Sequence, residues 1–281
     1  MHLPDTPSPS LPEQEDLPRP APRPTLKRLF APLGVAGVLL MKLFAPVLKF
    51  LPVILKTGGS MLLTVGVYAM TWGVWFAVGF VLLLLIHECG HLLAAKRIGL
   101  KVGAPVFIPF MGAFIALKEA PRNAWIEAQV GIGGPLWGTV GAALCELLFF
   151  VTGNPMFSAL AYTGFLLSLF NLAPVGFLDG GRIVTALSPW LWLVGFVILL
   201  GLTIMNPNFI LILILVFSVP RLLSLFKRKS NEQRRYFEVT AAQRWTIALL
   251  YFGLVVLLVI GMNLSQIAHE TLSHGVATRM S

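Results

Sequence analysis

Residues 86–91 read Ile-His-Glu-Cys-Gly-His, with two imidazoles four positions apart. At 3.6 residues per turn, His87 and His91 fall on one face of a helix. Glu88 follows the first histidine and projects toward the same region. Neutral imidazoles bind a divalent metal, and a carboxylate beside them can take a proton from water. This is the chemistry that the H-E-x-x-H pattern serves. Its setting is unusual. The preceding run from Val74 to Leu85 holds no charged residue and reads as a helix in lipid. Ionisable groups on such a helix are costly and call for a functional reason.

A catalytic zinc commonly takes three protein ligands and keeps a fourth position open. The other histidines are poor sources of the third: His2 lies in a polar tail, and His269 and His274 follow the last apolar run. The carboxylates of the apolar middle are Glu88, Glu119, Glu127, Glu146 and Asp179. Glu119 and Glu127 flank Arg122 and fit an interface. Glu146 lies in a regular helical run in the far half of the bilayer and fits an interfacial or internally hydrogen-bonded role. Asp179 stands at a glycine-flanked break between apolar helices, where distorted backbone can aim it inward, so it is the preferred ligand. Asn171 is one of the few polar side chains near it. It is a candidate to donate to an oxyanion, to hold substrate backbone, or to stabilise a turn.

These residues need elements to position them, and the composition says which. The chain has 281 residues, of which 57% are hydrophobic and 12% charged, with a mean hydropathy of +0.82. A soluble domain carries roughly twice that charged fraction. The apolar residues form several long runs, so the expected fold is an all-α polytopic membrane protein of six to seven transmembrane helices. A net charge of +9 could indicate nucleic acid, but the basic residues cluster at the ends of apolar runs. Orientation in the membrane accounts for them, and no nucleic-acid partner is expected. Cys89 and Cys145 both lie in apolar runs and give no disulfide framework.

Five stretches follow in order. Residues 1–26, rich in proline, read as a disordered tail. Residues 27–58 hold an apolar segment with Lys42, Lys49 and Lys56 at a spacing of seven. It reads equally as a spanning helix and as one lying in the interface. Gly58-Gly59 then reads as a break. Residues 59–190 form the expected catalytic core. A single helix over 60–98 would overrun the bilayer, so it tilts, protrudes or breaks near Thr71-Trp72-Gly73. Its basic end at Lys96, Arg97 and Lys101 points to the cytoplasm and leaves His87 and His91 roughly 8–15 Å inside. Residues 100–120, punctuated by Pro105, Pro109 and Gly112, read as a short membrane-associated β segment near the site. Helices are expected from near Ala124 to Phe150 and onward to Phe170. Residues 191–264 carry the remaining helices, with apolar runs at 188–205, 209–226 and 245–262, around a basic loop at 227–244. Residues 265–281 read as a polar tail.

Two motifs together resemble a known family. His87-Glu88-x-x-His91 on an early apolar helix, followed by Asn171, Pro174, Leu178, Asp179 and Gly180 in an N-x-x-P-x-x-x-L-D-G pattern, resembles the site-2 proteases, intramembrane zinc metalloproteases. Gly134-Pro135 looks like that family's central glycine–proline element. The resemblance covers roughly residues 60–190. It implies one zinc ion bound by His87, His91 and Asp179, with Glu88 as the catalytic carboxylate. The short interval between His91 and Asn171 leaves no room for an inserted PDZ domain, nor is a CBS domain expected after residue 262; the resemblance is to a compact form.

The resemblance implies a zinc endopeptidase that cuts transmembrane segments of membrane proteins within the bilayer, as in regulated intramembrane proteolysis. The expected location is a bacterial plasma membrane with the site toward the cytoplasm. Two other classes share some features: an intramembrane metal-ion transporter and a catalytically silent membrane-binding protein. A conduction path would need polar groups along several helices, whereas here they gather in one cluster.

Overall fold

The computed structural model describes residues 56–110, 112–226 and 231–280. The expectations for residues 1–26 and for nearly all of 27–58 lie outside these. Within them the chain is mostly helical, with one two-stranded antiparallel sheet. We label the elements α1 (56–72), α2 (Val74–Arg97), β1 (Val102–Ile108), β2 (Gly112–Leu117), α3 (Ala124–Thr152) and α4 (Pro155–Asn171). After them come α5 (Asp179–Leu187), α6 (Leu191–Met205), α7 (Phe209–Leu223), α8 (Asn231–Tyr236) and α9 (Ala241–Met280).

The long stretch after residue 60 breaks where the sequence allowed, at Gly73, whose φ of 82° ends α1 and starts α2. The expected break at Gly58-Gly59 is corrected: both glycines lie within α1. A glycine in a helix costs about 1 kcal/mol relative to alanine, which weakens a helix without forbidding it. Here the flanking Thr57 and Ser60 hydroxyls tie α1 to β1. Thr57 Oγ1 donates to Pro105 O at 2.8 Å, and Ser60 Oγ accepts from Phe107 N at 3.1 Å.

Residues 100–120 form a hairpin, as the β-prone runs suggested. Val106 pairs with Phe114 and Phe107 with Ala113, and the register is irregular between Val102 and Pro105. Phe110 and Gly112 adopt positive φ in the turn, and Tyr68 Oη accepts from Phe110 N at 2.9 Å. The contacts from α1 therefore cover the outer side of β1. Among the described residues, no strand pairs with the outer edge of β2.

α2 and α3 cross at Gly90 and Gly133. A Cβ on either would collide with the other's carbonyl oxygen, so two glycines permit the close approach that helices in lipid exploit. α3 is capped by Asn123, whose side chain accepts from Ile126 N, and ends at Gly153 in the left-handed conformation. The main apolar core joins α3, α4, α5, α6 and α9 through Ala128, Phe165, Ile183, Trp192, Ile247 and Leu258. Between α4 and α5, residues 172–178 turn without regular structure, tied down by Tyr251 Oη donating to Leu172 O at 2.7 Å.

Among the described residues, three helices are long and apolar enough to cross a membrane: α2, α3 and residues Ala241–Ile267 of α9. Large apolar side chains such as Trp75, Ile204 and Phe209 are more than 70% exposed, as expected of surfaces that face lipid rather than water. The chain is an integral membrane protein. The final helix departs from expectation: it runs through residue 262 to Met280. Polar residues such as Asn263 and Ser265 do not terminate a helix by themselves, and no proline follows to stop it.

Candidate active site

The site is assembled from α2, α3 and α5. His87, Glu88 and His91 project from α2 and are buried, as is Asp179 in the first turn of α5. The exposed amides at a helix N-terminus favour a carboxylate there. Nε2 of His87 lies 3.0 Å and Nε2 of His91 3.1 Å from one oxygen of Asp179, Oδ2. Glu88 and the two imidazoles present ligand atoms all within 4.8 Å of one another. Asp179 thus touches both imidazoles, with Glu88 beside them.

The orientation of His91 is set from α3. Its Nδ1 lies 2.7 Å from Val130 O and 3.2 Å from the amide nitrogen of Gly134; in the neutral tautomer protonated at Nδ1 it donates to that carbonyl and turns the Nε2 lone pair toward Asp179. Two acceptors facing each other at 3.1 Å are favourable only with a proton or a cation between them. A tetrahedral zinc with nitrogen and oxygen ligands at 2.0–2.2 Å would space its donors by about 3.3 Å. Two imidazoles and one carboxylate converging at close to that spacing fit one zinc ion, and the Nδ1 contact is the outer hydrogen bond that metal-bound histidines normally make.

Gly134 completes the cradle. A Cβ there would collide with Nε2 of both histidines, so only glycine lets α3 pass this close to the imidazoles. The sequence marked Gly134-Pro135 only by resemblance; the close approach supplies the physical reason.

The four residues face a cavity of about 570 Å³, bordered by Tyr68, Phe114, Phe177, Arg182 and Ile214 among others. The residues of β2 from Gly112 to Ile115 line it, and so does Asn171. Asn171, however, donates its Nδ2 to Leu167 O of its own helix at 3.1 Å. Arg182 went unremarked as a site residue in the sequence; one turn beyond Asp179, it follows the aspartate to the cavity wall. Glu146 stands apart, accepting from Ser265 Oγ at 2.6 Å, in keeping with its internally hydrogen-bonded reading.

The residues from Trp75 to Thr163 match the profile of Peptidase family M50. The match is confined to residues 75–163, the M50 segment. The chain is 31% identical over 131 residues to the zinc metalloprotease MJ0392 of Methanocaldococcus jannaschii, covering 44% of this chain and 38% of that one. It is 35% identical over 141 residues to the putative zinc metalloprotease Rip3 of Mycobacterium tuberculosis, covering 46% and 35%. A probable chloroplastic zinc metalloprotease of Oryza sativa, EGY2, is 28% identical over 160 residues, covering 41% and 29%. The chain thus spans between 29% and 38% of the length of these relatives. The site-2 protease resemblance read from the motifs agrees with this family. The M50 segment contains His87, Glu88, His91 and Gly134, whereas Asn171 and Asp179 lie beyond the matched residues and join the site through the fold.

Proposed function

We propose that the protein is a zinc metalloendopeptidase that hydrolyses peptide bonds in transmembrane segments of other membrane proteins. The observation that carries this reading is the convergence of His87, His91 and Asp179 on one point, with Glu88 beside them, at the wall of a cavity bordered by a strand edge. When bound by those three residues, zinc supplies a Lewis acid that polarises the scissile carbonyl and eases deprotonation of water.

The chain's own groups do the rest. Glu88 takes the proton of the attacking water and returns it to the leaving amine. Its burial beside the imidazoles keeps that proton within the site. A substrate helix has its carbonyls bonded internally and must unwind locally before attack. The outer edge of β2 offers backbone partners for such an unwound segment, which adds as a third strand. Asn171, with one of its two Nδ2 hydrogens given to Leu167 O, holds the substrate backbone through its carbonyl oxygen and its second N–H. Arg182, on the cavity wall, faces the same segment.

In the same reading α1, α4, α6 and α7 also lie in the bilayer and make up the expected six to seven crossings. The ends carrying Lys96, Arg97 and Arg221 face the cytoplasm of a bacterial plasma membrane, in line with the positive-inside rule. A metal-ion transporter is the second class to be separated. The experiment is incubation of the purified chain in proteoliposomes with a panel of single-pass membrane substrates, alongside a zinc-flux assay. Zinc-dependent cleavage without flux supports the proposal; flux without cleavage of any substrate overturns it.

A further inference from the structure

The segment that presents Asp179 is held on both flanks by one side chain from a helix outside the M50 segment. Arg221, near the end of α7, donates Nη1 to Gly176 O at 3.1 Å. Its Nη2 donates to Thr185 Oγ1 at 2.8 Å and to Glu127 Oε1 at 3.0 Å. Gly176 precedes Asp179 by three residues and Thr185 follows it by six, so the fork closes over the turn that carries the ligand. Glu127 belongs to the first turn of α3, the helix that also supplies Val130 O to His91 and the Gly134 cradle. The guanidinium carbon lies 4.5 Å from the centre of the Trp192 ring. That indole donates in turn to Gly181 O, two residues beyond Asp179, at 2.9 Å. Tyr236 Oη closes the network by donating to Glu127 Oε2 at 2.8 Å.

We propose that Arg221 is a positioning residue for Asp179: it fixes α5 against α3 so that the carboxylate meets the two imidazoles at zinc-binding distance. The inference rests on the reading of His87, His91 and Asp179 as the zinc ligands. A planar, permanently charged fork suits the task because three acceptors on three different elements must be held at once. A lysine would keep the charge beside Glu127 but, as a point donor on a flexible stem, would not hold Gly176 O and Thr185 Oγ1 together. Residues that orient metal ligands typically change metal affinity by about 10–100-fold when altered.

The test is zinc affinity of the full chain in detergent, measured by competition with a chromophoric chelator, together with thermal unfolding of the zinc-free chain. We expect Arg221→Lys to weaken zinc binding by about tenfold or more while the zinc-free chain unfolds within a few degrees of wild type. Thr185→Val, which deletes one arm of the fork together with the 2.9 Å bond from Thr185 Oγ1 to Gly181 O in the same helix, should weaken zinc in the same direction; it decides the matter if the lysine variant does not fold. Wild-type zinc affinity in Arg221→Lys, or in Thr185→Val where it stands alone, would reduce Arg221 to a charge partner of Glu127 and overturn the inference. His87→Ala serves as the reference. If the wild-type chain and His87→Ala bind zinc alike, the assignment of the zinc ligands fails. If only His87→Ala loses zinc, that assignment holds and the positioning claim alone fails.

Discussion

Nε2 of His87 and Oδ2 of Asp179, 92 residues apart in the chain, stand 3.0 Å from each other in the protein interior. Between them lie a β-hairpin, two long helices and an irregular turn, each of which contributes to that distance. α3 crosses α2 at Gly90 and Gly133, and Tyr251 holds Leu172 O at the turn. The metal-binding geometry is therefore a property of the whole helical bundle, although two of the three proposed ligands are written within five consecutive residues.

If Asp179 completes the donor set, Asp179→Ala should bind zinc at least about tenfold more weakly than wild type. Glu146→Gln should leave zinc content unchanged, because Glu146 bonds to Ser265 away from the site. Metal analysis of the two purified variants checks both, and zinc lost from Glu146→Gln but kept by Asp179→Ala would reassign the ligand.

Gly134→Ala places a methyl group against both imidazole Nε2 atoms. Overpacking of this kind costs about 1–3 kcal/mol, which we expect to appear as weaker zinc binding. Gly153→Ala, where a Cβ would meet nothing but the backbone has φ of 67°, should lower thermal stability and leave zinc affinity untouched. Zinc titration and thermal unfolding of the pair separate the two effects.

Strand addition at β2 requires its outer backbone groups. Proline at Phe114 or at Ile115 removes an amide, and one of the two amides faces the outer edge. We expect the proline on the outer-facing position to reduce cleavage of a transmembrane substrate by about tenfold or more, with zinc content retained, each outer hydrogen bond to substrate being worth about 0.5–1.5 kcal/mol in a cooperative ladder. Unchanged cleavage in both variants would remove β2 from the substrate path.

Asn171→Ala distinguishes two roles for that residue. A lost oxyanion donor lowers kcat by about 10²–10³. Because one Nδ2 hydrogen ties the side chain back to Leu167 O of its own helix, we expect a loss of about tenfold or less, carried mainly by KM, as for a group that holds ground state and transition state alike. Steady-state kinetics on one defined substrate reads the split.

The site was legible where chemistry is local. The H-E-x-x-H spacing places His87, Glu88 and His91 on a helix whatever surrounds them, and the glycine-flanked Asp179 stood out among few carboxylates. The hairpin was legible because proline and glycine punctuate it. What packs against what was not. In lipid the outside of a helix is as apolar as the inside, so the run of α2 before His87 shows no polar stripe that would mark its buried face. For the same reason nothing local linked Arg221 to Glu127, 94 residues away, or told that Thr57 and Ser60 would cover β1. Gly58-Gly59 misled because glycine signals a break only when the tertiary contacts do not hold the helix together.

The most direct test of the account is cleavage of a single-pass substrate in proteoliposomes by wild type and Glu88→Gln, with zinc content measured on the same samples. The account predicts that Glu88→Gln still carries one zinc per chain and cleaves at least about 10²-fold more slowly, the usual contribution of a positioned general base. A zinc-loaded Glu88→Gln that cleaves at the wild-type rate would contradict it.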